Sequence, residues 1–268
     1  MGSKVTILGA RGSVPVSGSA FSKYGGATPC VLLETESEAL LLDAGTGILN
    51  LPMQVWKNHK RVHIFMTHSH LDHLMGLPMC PMMFDSNIEV IFYSPDVKKF
   101  QTALNQLMNP PLWPVGTEVF KAQIRCENLG KEPYQIGEGW IVVSHMPVKH
   151  PGECCAFRVE WDNHSMVYAT DCELDAKGCK EMESFAENTG LLILDAQYTA
   201  EEYYRYEGFG HTDIDTAASV ILGSGALRGL LFHHAPTRTD EQLDQIAAYV
   251  KQKGIQIGVA KEGDRISL

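Results

Sequence analysis

Along residues 62–73 apolar and polar positions first alternate and then stop alternating. Val62, Ile64 and Met66 interleave with His63, Phe65 and Thr67, a period of two that predicts a short, largely buried strand. At its end the chain turns polar, as His68-Ser69-His70-Leu71-Asp72-His73. Alternate residues of extended backbone share a side, so His68 and His70 can reach one cation. Asp72 and His73 fall where the chain turns toward a short helix and can face a second. Other apolar runs close the same way. Trp140-Ile141-Val142-Val143 leads through a second short segment to His150, and Met166-Val167-Tyr168-Ala169-Thr170 leads to Asp171. Leu191-Leu192-Ile193-Leu194 ends at Asp195, and Leu230-Leu231-Phe232 at the adjacent pair His233 and His234. Polar residues at strand ends are where α/β sheets hold their sites.

Elsewhere the pattern predicts mixed strands and helices. Val5-Thr6-Ile7-Leu8 reads as a strand followed by Gly9-Ala10-Arg11-Gly12-Ser13, whose amides, with Arg11 and Ser13, suit either a phosphate cradle or a plain glycine turn. Cys30-Val31-Leu32-Leu33 and Leu40-Leu41-Leu42 form a hairpin that ends in Asp43-Ala44-Gly45. Met79, Met82, Met83 and Phe84 read as an apolar cluster in the core. Residues 101–120 are the least regular part. Pro110, Pro111 and Pro114 around Trp113 suit a rigid lid or a dimer contact, with Trp113 either stacking on a nucleobase or anchoring the loop. Tyr203, Tyr204 and Tyr206 form an aromatic loop leading through Gly208-Phe209-Gly210 into His211. Thr212 or Asp213 can cap a helix through Ala217, Ala218, Val220 and Ile221. Thr239 or Asp240 starts a last helix with Leu243, Ile246, Ala247 and Val250 on one face, stopped by Gly254.

Composition narrows the function classes. With 268 residues and 44 % hydrophobic content, the chain can bury a substantial core as one domain over 1–268 with no linker. A formal net charge of −10 opposes a surface built to grip nucleic acid. Seven cysteines without finger or framework spacing suggest a reducing cytoplasm, and Cys172 reads as a buried small residue. No stretch has the length or apolarity of a targeting core or membrane span.

Histidine nitrogen and carboxylate oxygen without thiolate suit zinc, manganese or iron. With Thr67-His68-Ser69-His70-Leu71-Asp72-His73 as a His-x-His-x-Asp-His signature, the chain resembles the metallo-β-lactamase superfamily over nearly its whole length. The resemblance implies an α/β, four-layer αβ/βα sandwich and two divalent ions, Zn2+ or Mn2+ with Fe possible. It further implies that His68, His70 and His150 hold one ion, that Asp72, His73 and His233 hold the other, and that Asp171 bridges them. His234 is a rival for the place of His233. Asp43 supports the metal loop from behind. Ile193-Leu194-Asp195-Ala196 and Gly210-His211-Thr212 are similar to the ribonuclease Z branch and its phosphodiesterase relatives, in which Asp195 would hold His211 near the leaving group. That pairing has a physical reason as well. A helix N-terminus after His211 disfavours imidazolium, and a general acid must be protonated, so a compensating carboxylate is needed.

The implied mechanism is attack of a metal-bridging hydroxide on phosphorus, with Asp72, Asp195 and His211 as the catalytic residues and His211, oriented by Asp195, assisting the departing oxygen. A basic glycine-rich arm and a Pro-x-Lys-x-Asn element for transfer RNA are missing. A small phosphodiester such as a cyclic nucleotide is therefore the expected substrate. A ribonuclease Z-like RNA endonuclease and an ester, lactone or thioester hydrolase are the alternatives. No membrane partner is expected, and a homodimer is possible.

Overall fold

A computed structural model describes residues 3–137, 140–253 and 257–268. The chain divides into two compact units, one of residues up to Gly9, Ala27–Lys131 and Glu262–Ser267, the other of Ala10–Gly26, Glu132–Lys261 and Leu268. The first unit holds β1 (Lys4–Gly9), β2 (Cys30–Glu34), β3 (Ala39–Leu42), α1 (Met53–Asn58), β4 (Arg61–Phe65), α2 (Leu71–Leu74), β5 (Glu89–Ser94), α3 (Val97–Leu107) and β6 (Gln123–Asn128). The second holds β7 (Tyr134–Ile136), β8 (Ile141–Val148), β9 (Cys154–Trp161), β10 (His164–Ala169), α4 (Ala176–Phe185), β11 (Leu191–Asp195), α5 (Ala200–Tyr206), α6 (Ile214–Gly223), β12 (Gly229–Phe232), α7 (Asp240–Lys251) and β13 (Ile257–Val259). The closing strand β14 (Arg265–Ser267) returns to the first unit and pairs with β1.

Each unit is built on a seven-stranded mixed sheet, ordered β14-β1-β2-β3-β4-β5-β6 in one and β13-β12-β11-β10-β9-β8-β7 in the other. Both follow one rule. The pairs from β14 to β3 are antiparallel and those from β3 to β6 parallel. Likewise β7 to β10 are antiparallel and β10 to β13 parallel. Parallel neighbours need crossover connections, and these supply the helices. In the first unit Trp56, Phe100 and Leu104 pack with Leu41, Ile64, Val90 and Phe92. In the second, Met182, Ile221, Leu243 and Val250 pack with Val167, Leu192, Leu194 and Leu231. The opposite sheet residues, such as Leu40, Leu42, Phe65, Ile193 and Phe232, are buried too, which is why these strands read as nearly continuous apolar runs. Truncating a fully buried aromatic such as Phe92 or Phe100 would cost about 3–5 kcal/mol.

Several local expectations are corrected. The approach to His150 is a single strand, because every residue of β8 pairs across to β9, Pro147 included. Residues 101–107 are helical: Asp96 caps α3 by accepting from the Lys99 amide, and Phe100 and Leu104 bury its inner face. The segment before Gly208-Phe209-Gly210 is the helix α5 rather than a loop, started by a reciprocal capping box between Thr199 and Glu202. Met82 and Met83 are core residues, whereas Met79 and Phe84 are exposed. Asp213 is the residue that caps α6, while the Thr212 hydroxyl donates to the Cys172 carbonyl. Thr239 caps α7 together with Gln242, and Gly254, the expected stop, lies outside the described residues.

Candidate metal centre

In both units the polar residues of interest lie at or just past the ends of parallel strands: Asp43 after β3, Thr67 and His68 after β4, Asp171 after β10, Asp195 and Gln197 at the end of β11, and His233 after β12. Asp43, Asp171 and His233 carry positive φ angles of 61°, 53° and 59°. Left-handed backbone is uncommon outside glycine, and its recurrence at three strand ends marks backbone bent to aim side chains.

In the first unit Asp43 is fully buried and organises the His-rich turn. Its carboxylate accepts from the Thr67 amide at 2.8 Å, from the Thr67 hydroxyl at 2.9 Å and from His73 Nδ1 at 2.8 Å. With its hydrogen given to Asp43, the Thr67 oxygen accepts from His68 Nδ1 at 3.0 Å. The His68 ring lies 4.4 Å from that of His70 and 4.3 Å from that of His73, centroid to centroid. Asp72 Oδ2 stands 3.4 Å from His73 Nε2. The Asp43-Ala44-Gly45 loop touches this turn backbone to backbone: a Cβ at Gly45 would lie 2.3 Å from the Asp72 carbonyl oxygen.

The second unit gathers His150, Asp171, Asp195, His211 and His233. One ligand atom each from His150, Asp171 and His211 lie within 4.8 Å of one another, and so do those of Asp195, His211 and His233. Asp195 is the hub. Its Oδ2 accepts from His211 Nδ1 at 2.8 Å and from the Asp171 amide at 3.0 Å, and its Oδ1 accepts from the Thr212 amide at 3.1 Å. Asp171 Oδ2 accepts from the Thr170 hydroxyl at 2.6 Å and lies 3.2 Å from His233 Nε2. His150 Nδ1 donates to the Gly210 carbonyl at 2.9 Å, and His233 Nδ1 to Gln197 Oε1 at 2.8 Å. The His211 and His233 rings stack at 4.9 Å.

These contacts test whether the residues fit a divalent cation. His68, His73, His150 and His233 each donate Nδ1–H to an oxygen, which in the neutral ring fixes the tautomer and places the lone pair on Nε2. Metal-binding imidazoles are held in this manner by carboxylates and carbonyls behind them. Nitrogen and carboxylate donors, with no thiolate among them, fit the metals expected from the sequence.

The two adjacent histidines separate clearly. His234 is buried with Nε2–H donated to the Ala260 carbonyl at 2.8 Å, and burial holds its pKa down at about 3. His233 alone of the pair faces Asp171. Cys172 is fully buried, and burial together with the nearby Asp195 and Asp171 charges raises its thiol well above the usual range, so it is no nucleophile.

The glycine stretch after β1 runs beside this pair. Gly12 donates its amide to the His234 carbonyl, and a Cβ there would lie 2.6 Å from His233 Nδ1. Arg11, 1 % exposed, donates to the carbonyls of Ala235, Arg238 and Gly25, so its guanidinium braces this loop; Ser13 is exposed. Trp113 packs partly buried against the first unit's core, the anchoring role.

Two buried side chains escaped the sequence reading. Gln197 orients His233. Glu173 accepts from the amides of Gly208 at 2.8 Å and Gly210 at 3.0 Å and from Lys149 Nζ at 2.5 Å. Burial raises the Glu173 pKa, but the Lys149 and amide hydrogen bonds outweigh it and the carboxyl is net lowered. Each stands two residues after a strand-end aspartate, as Asp171-x-Glu173 and Asp195-x-Gln197. That spacing was the available signal.

Comparison with known proteins agrees with this geometry. The chain is 21 % identical over 272 residues to the probable metallo-hydrolase YhfI of Bacillus subtilis, covering 97 % of this chain and 98 % of that one. The crystal structure of YhfI, described as a metallo-beta-lactamase fold protein, matches over 100 % of both chains with a TM-score of 0.74 and 20 % identity. A diphosphatase from the PhnP family matches with a TM-score of 0.72 and 18 % identity, over 99 % of this chain and 98 % of that one. Ribonuclease Z of Haloferax volcanii is 32 % identical over 87 residues, 32 % of this chain and 25 % of that protein. The model of the Beta-lactamase superfamily domain matches residues 38–234, a span that contains every strand-end residue from Asp43 to His233, and the chain belongs to that superfamily, with the metallo-β-lactamase fold.

Proposed function

We propose that this metal-dependent hydrolase is a phosphodiesterase acting on a small phosphodiester, with a cyclic nucleotide as the leading case. The observation that carries the reading is the buried pair of His211 and Asp195, 2.8 Å apart, in the same unit as Asp171 and His233. Nucleophilic attack on phosphorus expels an alkoxide, a poor leaving group that gains most from a positioned acid. Asp195 stabilises the protonated imidazole of His211 and fixes its ring, so that Nε2–H is the proton delivered to the departing oxygen. The names of the diphosphatase and ribonuclease Z relatives both describe hydrolysis at phosphorus. A formal net charge of −10 favours a small substrate over RNA.

His68, His70 and His150 would hold one divalent ion, and Asp72, His73 and His233 the other, with Asp171 shared. Zn2+ or Mn2+ suits this donor set. When bound, the ions supply Lewis-acid charge at the phosphate and lower the pKa of water. A reducing cytoplasm suits the seven cysteines, which show no finger or framework spacing. Among the described residues no helix is long and apolar enough to cross a membrane.

His211 also lies within ligand distance of His150 and Asp171, so its role as acid has to be separated from a role as ligand. The variant His211→Ala is expected to keep its metal content and to lose about 10²–10⁴-fold in kcat on a phosphodiester. Loss of bound metal, read by elemental analysis, would instead make His211 a ligand.

A further inference from the structure

The turn that delivers His211 also presents an aromatic ring to solvent. Phe209 is 59 % exposed, yet the residues on both sides of it are fixed. Gly208 and Gly210 adopt φ angles of +86° and +90°, and both their amides donate to the single oxygen Glu173 Oε2, at 2.8 and 3.0 Å. Glu173 is itself buried and held by Lys149. On its other side the Phe209 ring meets Tyr206 edge to face at 5.6 Å. Tyr206, 38 % exposed, stacks on the buried Tyr198 at 4.7 Å and 11°, and Tyr198 meets the His211 ring at 5.8 Å. Phe209 thus ends a ladder of rings that begins at the proposed acid. Only Gly210 separates Phe209 from His211, a span of about 7 Å of backbone at most.

An exposed phenylalanine on a mobile loop needs no explanation, because single apolar residues on a surface are common. A phenylalanine whose two neighbouring glycines both donate their amides to one buried carboxylate is different. Its ring is held in one place without being buried, which is the requirement for a stacking platform that loses little entropy when a planar ligand arrives.

We propose that Phe209, backed by Tyr206, is a stacking subsite for the planar base of a nucleoside phosphodiester, beside the leaving-group side of the centre. The assignment rests on the phosphodiesterase reading and narrows it to substrates that carry a nucleobase, as against those with an aliphatic alcohol alone. Glu173 acts through the loop as a positioning residue: one carboxylate sets Phe209 and, through the Gly210 carbonyl, the ring of His150.

The test compares 3′,5′-cyclic AMP with a base-free ribose cyclic phosphate in the metal-loaded wild type, Phe209→Ala and Phe209→Tyr. Phe209→Ala is expected to lower the ratio of kcat/KM for the two substrates about tenfold, mainly through KM, and Phe209→Tyr to restore it. Titration calorimetry with AMP and ribose 5-phosphate separates this subsite from the chemistry. If cyclic AMP is not turned over but AMP still binds more tightly than ribose 5-phosphate and loses that advantage in Phe209→Ala, the phosphodiesterase reading fails and the subsite stands. An unchanged substrate ratio in Phe209→Ala, or equal binding of AMP and ribose 5-phosphate to the wild type, overturns the proposal.

Discussion

A single buried carboxylate shows how much of this chemistry is decided one residue at a time. Asp43 is fully buried, and it holds the Thr67 amide, the Thr67 hydroxyl and His73 Nδ1, and through Thr67 it also sets His68. Removing it would leave buried donors unsatisfied and let two imidazoles turn. Asp43→Ala is therefore expected to weaken metal binding about 10–100-fold, measured by competition with a chromogenic chelator. Affinity within twofold of wild type would mean that the turn is held by other contacts. Residues of this kind were partly legible in the sequence. The Asp-x-Gly element pointed to Asp43, and His233 could be named over His234 only as the first residue after an apolar run. The decision between those two depends on which ring reaches Asp171 and which reaches the Ala260 carbonyl, a three-dimensional fact that adjacent positions cannot encode.

Among elements, strand ends were the most legible and turns the least. Apolar runs located β10, β11 and β12 because both faces of these strands are buried, leaving a signal that stops at the polar site residue, while β4 was read from its alternation. Helix α5 was misread as a loop because its content of Tyr203, Tyr204 and Tyr206 gives no apolar stripe; its start is set by the Thr199 and Glu202 capping box. Helix α3 was hidden by a window opened at residue 101, four residues past its first turn at Val97. Glu173 was missed because its partners are backbone amides thirty-five and thirty-seven residues away. The turn it pins offers a matched comparison. A Cβ at Gly210 would lie 2.2 Å from His150 Nδ1 and 2.4 Å from Pro151 Cδ, whereas a Cβ at Gly208 would meet nothing within 4 Å. Both carry positive φ, so Gly208→Ala is expected to cost about 1 kcal/mol from backbone strain alone. Gly210→Ala adds displacement of His150 and should cost at least about 2 kcal/mol more, with reduced metal affinity. Equal losses in thermal or urea unfolding would show that the turn relaxes away from His150.

Over the whole molecule, the two units repeat one pairing scheme, antiparallel then parallel, and each places its polar residues at the ends of its parallel strands. The sequence carried the α/β class and the His and Asp signature, but it gave no sign of this repetition, since the sheets share their order of hydrogen bonding and not their residues. The acidic balance of the chain, −10 overall, is the molecular property that most directly bears on substrate, because it sets the field an approaching polyanion meets. The most direct test is accordingly a turnover panel in which protein loaded with Zn2+ or Mn2+ is offered 3′,5′-cyclic nucleotides, a lactone and a precursor transfer RNA, each with a chelator control. Conversion of a cyclic nucleotide to its monophosphate, abolished by the chelator, is the predicted result. Consumption of the lactone or the RNA with every cyclic nucleotide left intact would contradict the account.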